Sequence, residues 1–337
     1  MNLLVTGGAG FIGSSLIHHI IDKPEIRRLV NLDCLTYAGR LENLAGLEHH
    51  PKYIFEKTDL RDKSAVLKVV SRHQVTHVLH LAAESHVDRS ITGPGDFIHT
   101  NILGTFNLLE AVRSAWAGDW AGKRFHHVST DEVYGSLGAV GYFTETTSYA
   151  PNSPYSASKA ASDFLVRSYH HTYGLPVVTT NCSNNYGPRQ FPEKLIPVII
   201  ESICLRRAIP VYGDGMNVRD WLYVLDHAQA LWQALTCGQD GETYNIGGDN
   251  EWPNIRIVEL ICDIMDEVAP ELGRSSRRLI TFVKDRPGHD RRYAIDAGKM
   301  KKELGWTPAH TFQSGLRETI QWYLSHQDWV KSVKKQT

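Results

Sequence analysis

Long hydrophobic runs are missing from this 337-residue sequence. No stretch reaches the ~20 consecutive apolar residues of a membrane span. The first strand-like run starts at Asn2, with neither a basic flank nor a cleavage pattern ahead of it. A cytoplasmic protein with no membrane partner is the expectation. Charge of one sign is lacking too. Thirty-six Lys and Arg stand against thirty-seven Asp and Glu, a formal charge of −1. That balance gives no support for a nucleic-acid partner. Cysteine is sparse: Cys34, Cys182, Cys204, Cys237 and Cys262 fall far apart, with no C-x-x-C and an odd total. They fit reduced, structural thiols better than disulfides or zinc ligands. Histidine is plentiful at seventeen, often in tandem, yet forms no H-E-x-x-H and no His–Cys cluster. Adjacent residues on a helix do not face one way, so no metal is expected.

What the chain has is length and rhythm. It exceeds the ~250–300 residues at which one hydrophobic core stops growing, so two domains are expected. Asn2–Thr6, Leu29–Leu32, Tyr53–Glu56, His77–Leu81 and Phe125–Thr130 read as buried strands. Phe11–Ile21, the Ala65–Val70 stretch and His99–Val112 read as helices between them. Alternation of this kind implies right-handed crossovers and a Rossmann-like, doubly wound parallel sheet. The rhythm changes near Pro188. A turn signal sits at Val211–Gly215, and Ile257, Leu260, Ile261, Ile264, Met265 and Val268 share one face of a helix for which Asn254 is the expected cap. The expected division is an α/β domain over 1–188, a smaller mixed α/β domain over 189–330 with some segments crossing between the two, and a solvated tail over 331–337.

The strongest local motif is Thr6-Gly7-Gly8-Ala9-Gly10-Phe11-Ile12-Gly13, which follows a strand and opens a helix. Glycine at that spacing permits a tight turn and the backbone approach a pyrophosphate requires, while the helix start offers N–H donors. Asp33 ends the second strand, where a carboxylate accepts ribose hydroxyls and repels a 2′-phosphate, favouring NAD over NADP. Asp59-Leu60 follows the third strand, where the sheet would meet the adenine; a helix cap explains such an Asp equally well. Leu81-Ala82-Ala83-Glu84-Ser85 sets small residues after the fourth strand, for a cofactor to pass or for close helix packing. Tyr155 and Lys159 stand four apart on one helix face. A free tyrosine has a pKa of ~10 and is a poor base. The nearby ammonium is expected to draw it down, more so beside an oxidised nicotinamide.

Thr6–Gly13, Thr130 and Tyr155-x-x-x-Lys159 together resemble the extended short-chain dehydrogenase/reductases that act on nucleotide sugars. Ser129–Gly135, Asn181–Pro188, Phe191–Pro197, Arg219–Val224 and Asp285–Tyr293 narrow the resemblance to the dTDP-glucose 4,6-dehydratase family, across nearly the whole chain. On matching positions it implies NAD contacts at Gly7, Gly10, Phe11, Ile12, Gly13, Asp33, Thr36, Asp59, Leu60, Ala82, Thr100, Tyr155, Lys159 and Asn185. It implies sugar contacts at Ser85, Thr130, Asp131, Glu132 and Asn184. The nucleotide half is implied along Lys194, Leu195, Pro210, Val211, Tyr212, Arg219, Asn254, Arg286 and His289. The implied reaction turns dTDP-glucose into dTDP-4-keto-6-deoxyglucose by oxidation at C4, loss of water across C5 and C6, and hydride return to C6. Thr130, Asp131, Glu132, Tyr155 and Lys159 would be catalytic, with Asp131 as acid and Glu132 as base.

The family resemblance also implies a homodimer paired through the Tyr155 helix and the His99–Val112 helix, to which Ala157, Ala160, Ala161 and Leu165 offer small and apolar groups. Departures are a short Gly135–Tyr155 loop, Cys34 where the family often has Lys, Arg40 where it often has Asn, and Arg189 where an aromatic is frequent. A nucleotide-sugar 4-epimerase shares the fold, the cofactor and Tyr-x-x-x-Lys but has no need of Asp131 and Glu132. A GDP-mannose dehydratase would use NADP, which Asp33 disfavours. A silent NAD-sensing protein would have no use for an intact catalytic set.

Overall fold

Leu3, Leu4 and Val5 are all fully buried, yet they serve two different cores. Successive side chains of a strand point to opposite faces, so Leu3 and Val5 face one helical layer and Leu4 the other. That is the signature of a parallel sheet covered on both sides. A computed structural model shows this sheet directly and describes residues 1–272, 275–285 and 290–335.

The sheet contains β1 (Asn2–Thr6), β2 (Arg28–Asp33), β3 (Tyr53–Lys57), β4 (His77–His80), β5 (Arg124–Thr130) and β6 (Val177–Cys182). After β7 (Asn184–Tyr186), β8 (Ile209–Tyr212) and β9 (Val218–Tyr223), β10 (Thr243–Ile246) returns to its edge. The order is β10-β6-β5-β4-β1-β2-β3, and every pairing is parallel. The order in which successive strands are laid down therefore reverses between β1 and β4, the switch point where open α/β sheets bind ligands. Helices Phe11–Ile20 and Val224–Cys237 contribute Leu16, Ile17, Ile20, Leu231 and Leu235 to one core. Helices Lys63–Arg72, Thr105–Trp116 and Pro154–Tyr173 supply Val66, Val69, Leu108, Val112 and Val166 to the other. Burying each such side chain is worth ~1.5–3 kcal/mol.

Residues past 188 thus divide their service. β10 and Val224–Cys237 join the first sheet, while a separate core forms from helices Leu195–Cys204, Asn254–Val268 and Phe312–Ser325. These helices cover two small sheets. One is β11 (Glu251–Pro253), β9 and β7; the other pairs β12 (Ile280–Val283) with β8. The apolar face read at Ile257, Ile261 and Met265 packs into this core. Asn254 is not its cap. Pro253 occupies the cap position and Asn254 is the first helical residue, its N–H satisfied outside the helix by the Asn217 carbonyl oxygen at 3.0 Å. The helix read over His99–Val112 is real but opens as a π-helix over Ile98–Gly104 before Thr105–Trp116.

Candidate active site

The C-terminal ends of β1, β2, β4, β5 and β6 open onto one cleft of about 530 Å³. Gly7, Gly10 and Gly13 form its floor. Gly7 has φ +72°, and a Cβ there would sit 2.7 Å from the Ala82 backbone; one at Gly13 would sit 2.2 Å from the Gly7 carbonyl oxygen. Gly10 meets only the Gly7 oxygen, at 3.3 Å, and keeps its other side open. The three roles of a pyrophosphate-binding turn are therefore separated: turn, ligand approach, helix packing.

Asp33, at the end of β2, is fixed by the Ala9 N–H on one oxygen (3.0 Å) and the Leu35 N–H on the other (2.8 Å). Burial pushes its carboxyl above the ordinary range, and those two donors pull it back. Each oxygen retains acceptor capacity for a ribose hydroxyl. Asp59 caps no helix. Asp62 does that for Lys63–Arg72 by accepting from the Ser64 and Ala65 N–H groups, leaving Asp59 on the cleft wall, paired with Arg61 and held below the usual carboxylate range by that hydrogen bond. Phe11, Ile12, Thr36, Leu60, Ala82, Thr100 and Asn185 line the same cleft.

At the other end stand Ser85, Thr130, Asp131, Glu132, Tyr155, Lys159, Asn184 and Lys194. Ser153 caps the helix that carries Tyr155, and Pro154 fills its first turn. Lys159 donates to the Val128 carbonyl oxygen at 2.8 Å. Burial lowers its pKa, and the Asp163 charge raises it. The phenol of Tyr155 departs from expectation. Burial, then the charge of Glu132, hold its pKa well above the ordinary value. The protein's own groups thus favour the neutral phenol, because desolvation outweighs a cation that is spent on a carbonyl. Asp131, 2% exposed, is also held well above the ordinary range, first by burial and then by the charges of Glu132 and Asp220. Its Oδ2 and the Asn184 Oδ1 are buried without a protein partner. Such atoms fit a ligand rich in hydroxyls, and the glycine floor with Asp33 fits a dinucleotide.

Several expected contacts lie elsewhere. Leu195 packs against the second core, and Val211 is buried within it. Pro210 and Tyr212 are exposed on β8. Arg219 is buried, donating to the Asp290 carbonyl oxygen (2.8 Å) with its guanidinium over the Tyr293 ring (4.2 Å). Asn254 stands at the start of its helix with a buried, unpartnered Oδ1. Arg286 and His289 lie outside the described residues. Of the departures, Cys34 lines the cleft. Arg40 donates to the Val333 carbonyl oxygen, and Arg189 lies over Trp322 at 5.9 Å.

The sequence reading missed Asn101, Tyr37 and Glu193. Asn101, in the π-helix, accepts the Glu84 N–H (2.8 Å) and donates to the Glu84 carbonyl oxygen (3.0 Å) and to Ser158 (2.8 Å). It ties the post-β4 loop to the Tyr155 helix. A π-turn at a functional site is a known pattern, but it leaves the apolar periodicity of the flanking helix unchanged.

Switch-point cleft, glycine turn, the carboxylate that ends β2 and the Tyr-x-x-x-Lys helix define a short-chain dehydrogenase/reductase of the extended type. The family model described as GDP-mannose 4,6 dehydratase matches residues 4–319. A dTDP-glucose 4,6-dehydratase of Shigella flexneri is 56% identical over 350 aligned positions, covering 100% of this chain and 96% of its own. The crystal structure of a dTDP-glucose 4,6-dehydratase from Bacillus anthracis in complex with NAD superposes with a TM-score of 0.88 at 46% identity, covering 99% of each chain. A UDP-glucose 4-epimerase of Thermus thermophilus, also in complex with NAD, reaches 0.85 at 30% identity, covering 97% of this chain and 100% of its own. The chain belongs to the dTDP-glucose 4,6-dehydratase family.

Proposed function

We propose that this protein dehydrates dTDP-glucose to dTDP-4-keto-6-deoxyglucose with NAD as a recycled cofactor. The observation that carries this reading is the pair Asp131 and Glu132 at the end of β5, in one cleft with Tyr155 and Lys159. An epimerase moves a hydride at C4 alone and has no use for a buried, proton-holding acid; a dehydratase must expel a hydroxyl.

Gly7, Gly10, Gly13, Asp33, Thr36, Asp59 and Asn185 hold the dinucleotide. The chemistry the nicotinamide supplies when bound is acceptance of one hydride from C4 and its return at C6, so the redox change cancels. Tyr155, with Thr130 beside it, takes the proton of the C4 hydroxyl; the positive charge that a bound oxidised nicotinamide would add to that of Lys159 is what would bring the phenolate within reach. Glu132 removes the C5 proton, which an adjacent C4 ketone renders acidic. Asp131 protonates the departing C6 hydroxyl, a role that its high proton affinity suits. Ser85 and Asn184 orient the sugar, while Lys194 faces the nucleotide half.

The protein works as a homodimer in the cytoplasm. Ile98, Leu103 and Phe164 are 47%, 41% and 58% exposed on the Ile98–Trp116 and Pro154–Tyr173 helices, apolar groups suited to a second copy. Ala160 takes no part, being buried against Val133 and Tyr134. Among the described residues no helix is long and apolar enough to cross a membrane. Incubation of the purified protein with dTDP-glucose tests the assignment. A 4-keto-6-deoxy sugar nucleotide is expected; a C4 epimer, or no turnover, overturns it.

A further inference from the structure

Glu193 touches two segments far from it in the sequence. It sits in a tight turn after β7, where the Glu193 and Lys194 N–H groups both reach the Phe191 carbonyl oxygen, at 2.8 and 3.2 Å. Its Oε1 accepts the Tyr37 hydroxyl at 3.0 Å and lies 3.8 Å from His86 Nε2, while Oε2 lies 3.8 Å from Arg89. The Arg89 guanidinium stacks on the Tyr37 ring at 3.6 Å, and Phe191 meets that ring edge-on at 5.5 Å. Tyr37 is therefore held through its hydroxyl, its face and its edge.

The geography gives these contacts their meaning. Tyr37 belongs to the loop that follows Asp33 and contains Thr36, on the dinucleotide side of the cleft. His86 and Arg89 follow β4, just past Ser85. Lys194, adjacent to Glu193, is the side chain assigned to the sugar nucleotide. Tyr37, Phe191, Glu193 and Lys194 all line the cleft. One carboxylate thus joins the loop over the cofactor to the loop that meets the substrate.

We propose that Glu193 is a positioning residue that links the two loops, so that the cofactor stays bound through successive turnovers and substrate binding tightens its retention. The proposal rests on the dehydratase reading, in which NAD is regenerated in place and has no reason to leave. Coupling between two sites is reciprocal. A ligand that orders the Lys194 loop must therefore slow NAD release through Glu193, and bound NAD must favour that ligand.

The test loads the purified protein with radiolabelled NAD, dilutes it into unlabelled NAD, and follows retained label with and without dTDP. Glu193→Ala is expected to release NAD about tenfold faster, the scale of one lost charge-assisted hydrogen bond. Saturating dTDP is expected to slow release from the wild type and to have little effect on the variant. At saturating NAD the variant's loss in kcat/KM for dTDP-glucose is expected to fall on KM. Release within twofold of wild type overturns the proposal, as does dTDP slowing release equally in both. Should Glu193→Ala fold poorly, Tyr37→Phe and Glu193→Gln carry the test. Residues in contact are non-additive, so the double variant is expected to release NAD little faster than the worse single one, and additive effects overturn the link. Failure of the dehydratase reading looks different: the wild type would retain NAD yet make no keto sugar.

Discussion

Lys159 donates its ammonium to the Val128 carbonyl oxygen at 2.8 Å, which anchors the cation to β5. The next residue of that strand, Ser129, donates to Asp163 at 2.8 Å, one helical turn past Lys159. Asp163 also accepts from His127 at 3.0 Å and Tyr149 at 2.9 Å. Lys159 is thus buried with a hydrogen-bonded counter-charge nearby, the arrangement under which an ammonium keeps its proton inside a protein. With the cation held in place, the work of proton transfer falls to Tyr155.

Tyr155→Phe keeps the ring, which meets Phe97 edge-on at 6.3 Å, and removes only the hydroxyl. The variant is expected to fold, to bind NAD, and to form no NADH when mixed with dTDP-glucose. Loss of general acid–base help is worth ~10²–10⁴ in rate. Absorbance at the NADH band in a rapid-mixing experiment decides; a normal burst would remove Tyr155 from the hydride step.

The carboxamide variants should stop later. Glu132→Gln is expected to accumulate bound NADH while exchanging the C5 proton with solvent slowly. Asp131→Asn is expected to oxidise C4 and exchange C5 but to expel water slowly. Substrate carrying deuterium at C4 distinguishes the stages: the wild type should deliver it to C6 of the same molecule. Near-normal dehydration by both variants would overturn the acid and base assignments.

The proposed dimer would draw on the exposed apolar groups Ile98, Leu103 and Phe164. Phe164→Asp, at a position 58% exposed, puts an unpaired charge among those groups and gives up the ring contact with Tyr149 at 5.3 Å. Light scattering at micromolar protein is expected to give twice the chain mass for the wild type and a single chain mass for the variant. A dimeric Phe164→Asp would place the interface elsewhere.

Much of this molecule was legible before its structure. Leu3–Val5 announces itself because a strand covered on both faces reads as an unbroken apolar run, and the glycine turn because no other residue fits Gly7 and Gly13. What was not legible depends on packing between distant segments. β10 joins β6 by topology alone, and no local signal in Thr243–Ile246 names its neighbour. Tyr37, Arg89 and Glu193 meet only when three loops converge, so none looks functional by itself. The upward shift at Tyr155 follows from its depth of burial, whereas spacing reveals only the lysine. Val211 sits in a segment expected to face the nucleotide, and its side chain in β8 is buried in the second core, which the turn signal around it does not announce.

Asp131 carries a cost in stability that a substitution should expose. Its folded-state pKa is raised well above the ordinary value by burial and by the charges of Glu132 and Asp220, whereas the unfolded chain titrates near ~3.9. Below that pH both states hold the proton and there is no penalty. Between the two values the native state keeps a proton that the unfolded state has released, so this group's contribution falls as pH rises toward the folded pKa. Above it the penalty is complete, at ~1.4 kcal/mol for every tenfold gain in proton affinity on folding. Asn cannot ionise and keeps the shape, so Asp131→Asn is expected to raise the melting temperature at pH 7–8 and to change it little near pH 4. The gain should accompany the loss of dehydration, as expected where a site holds an acid against its own solvation. Melting curves across that pH range check the sign. A variant stabilised equally at all pH values, or destabilised at pH 8, would show that Asp131 is not held protonated, and its assignment as the acid would fall with it.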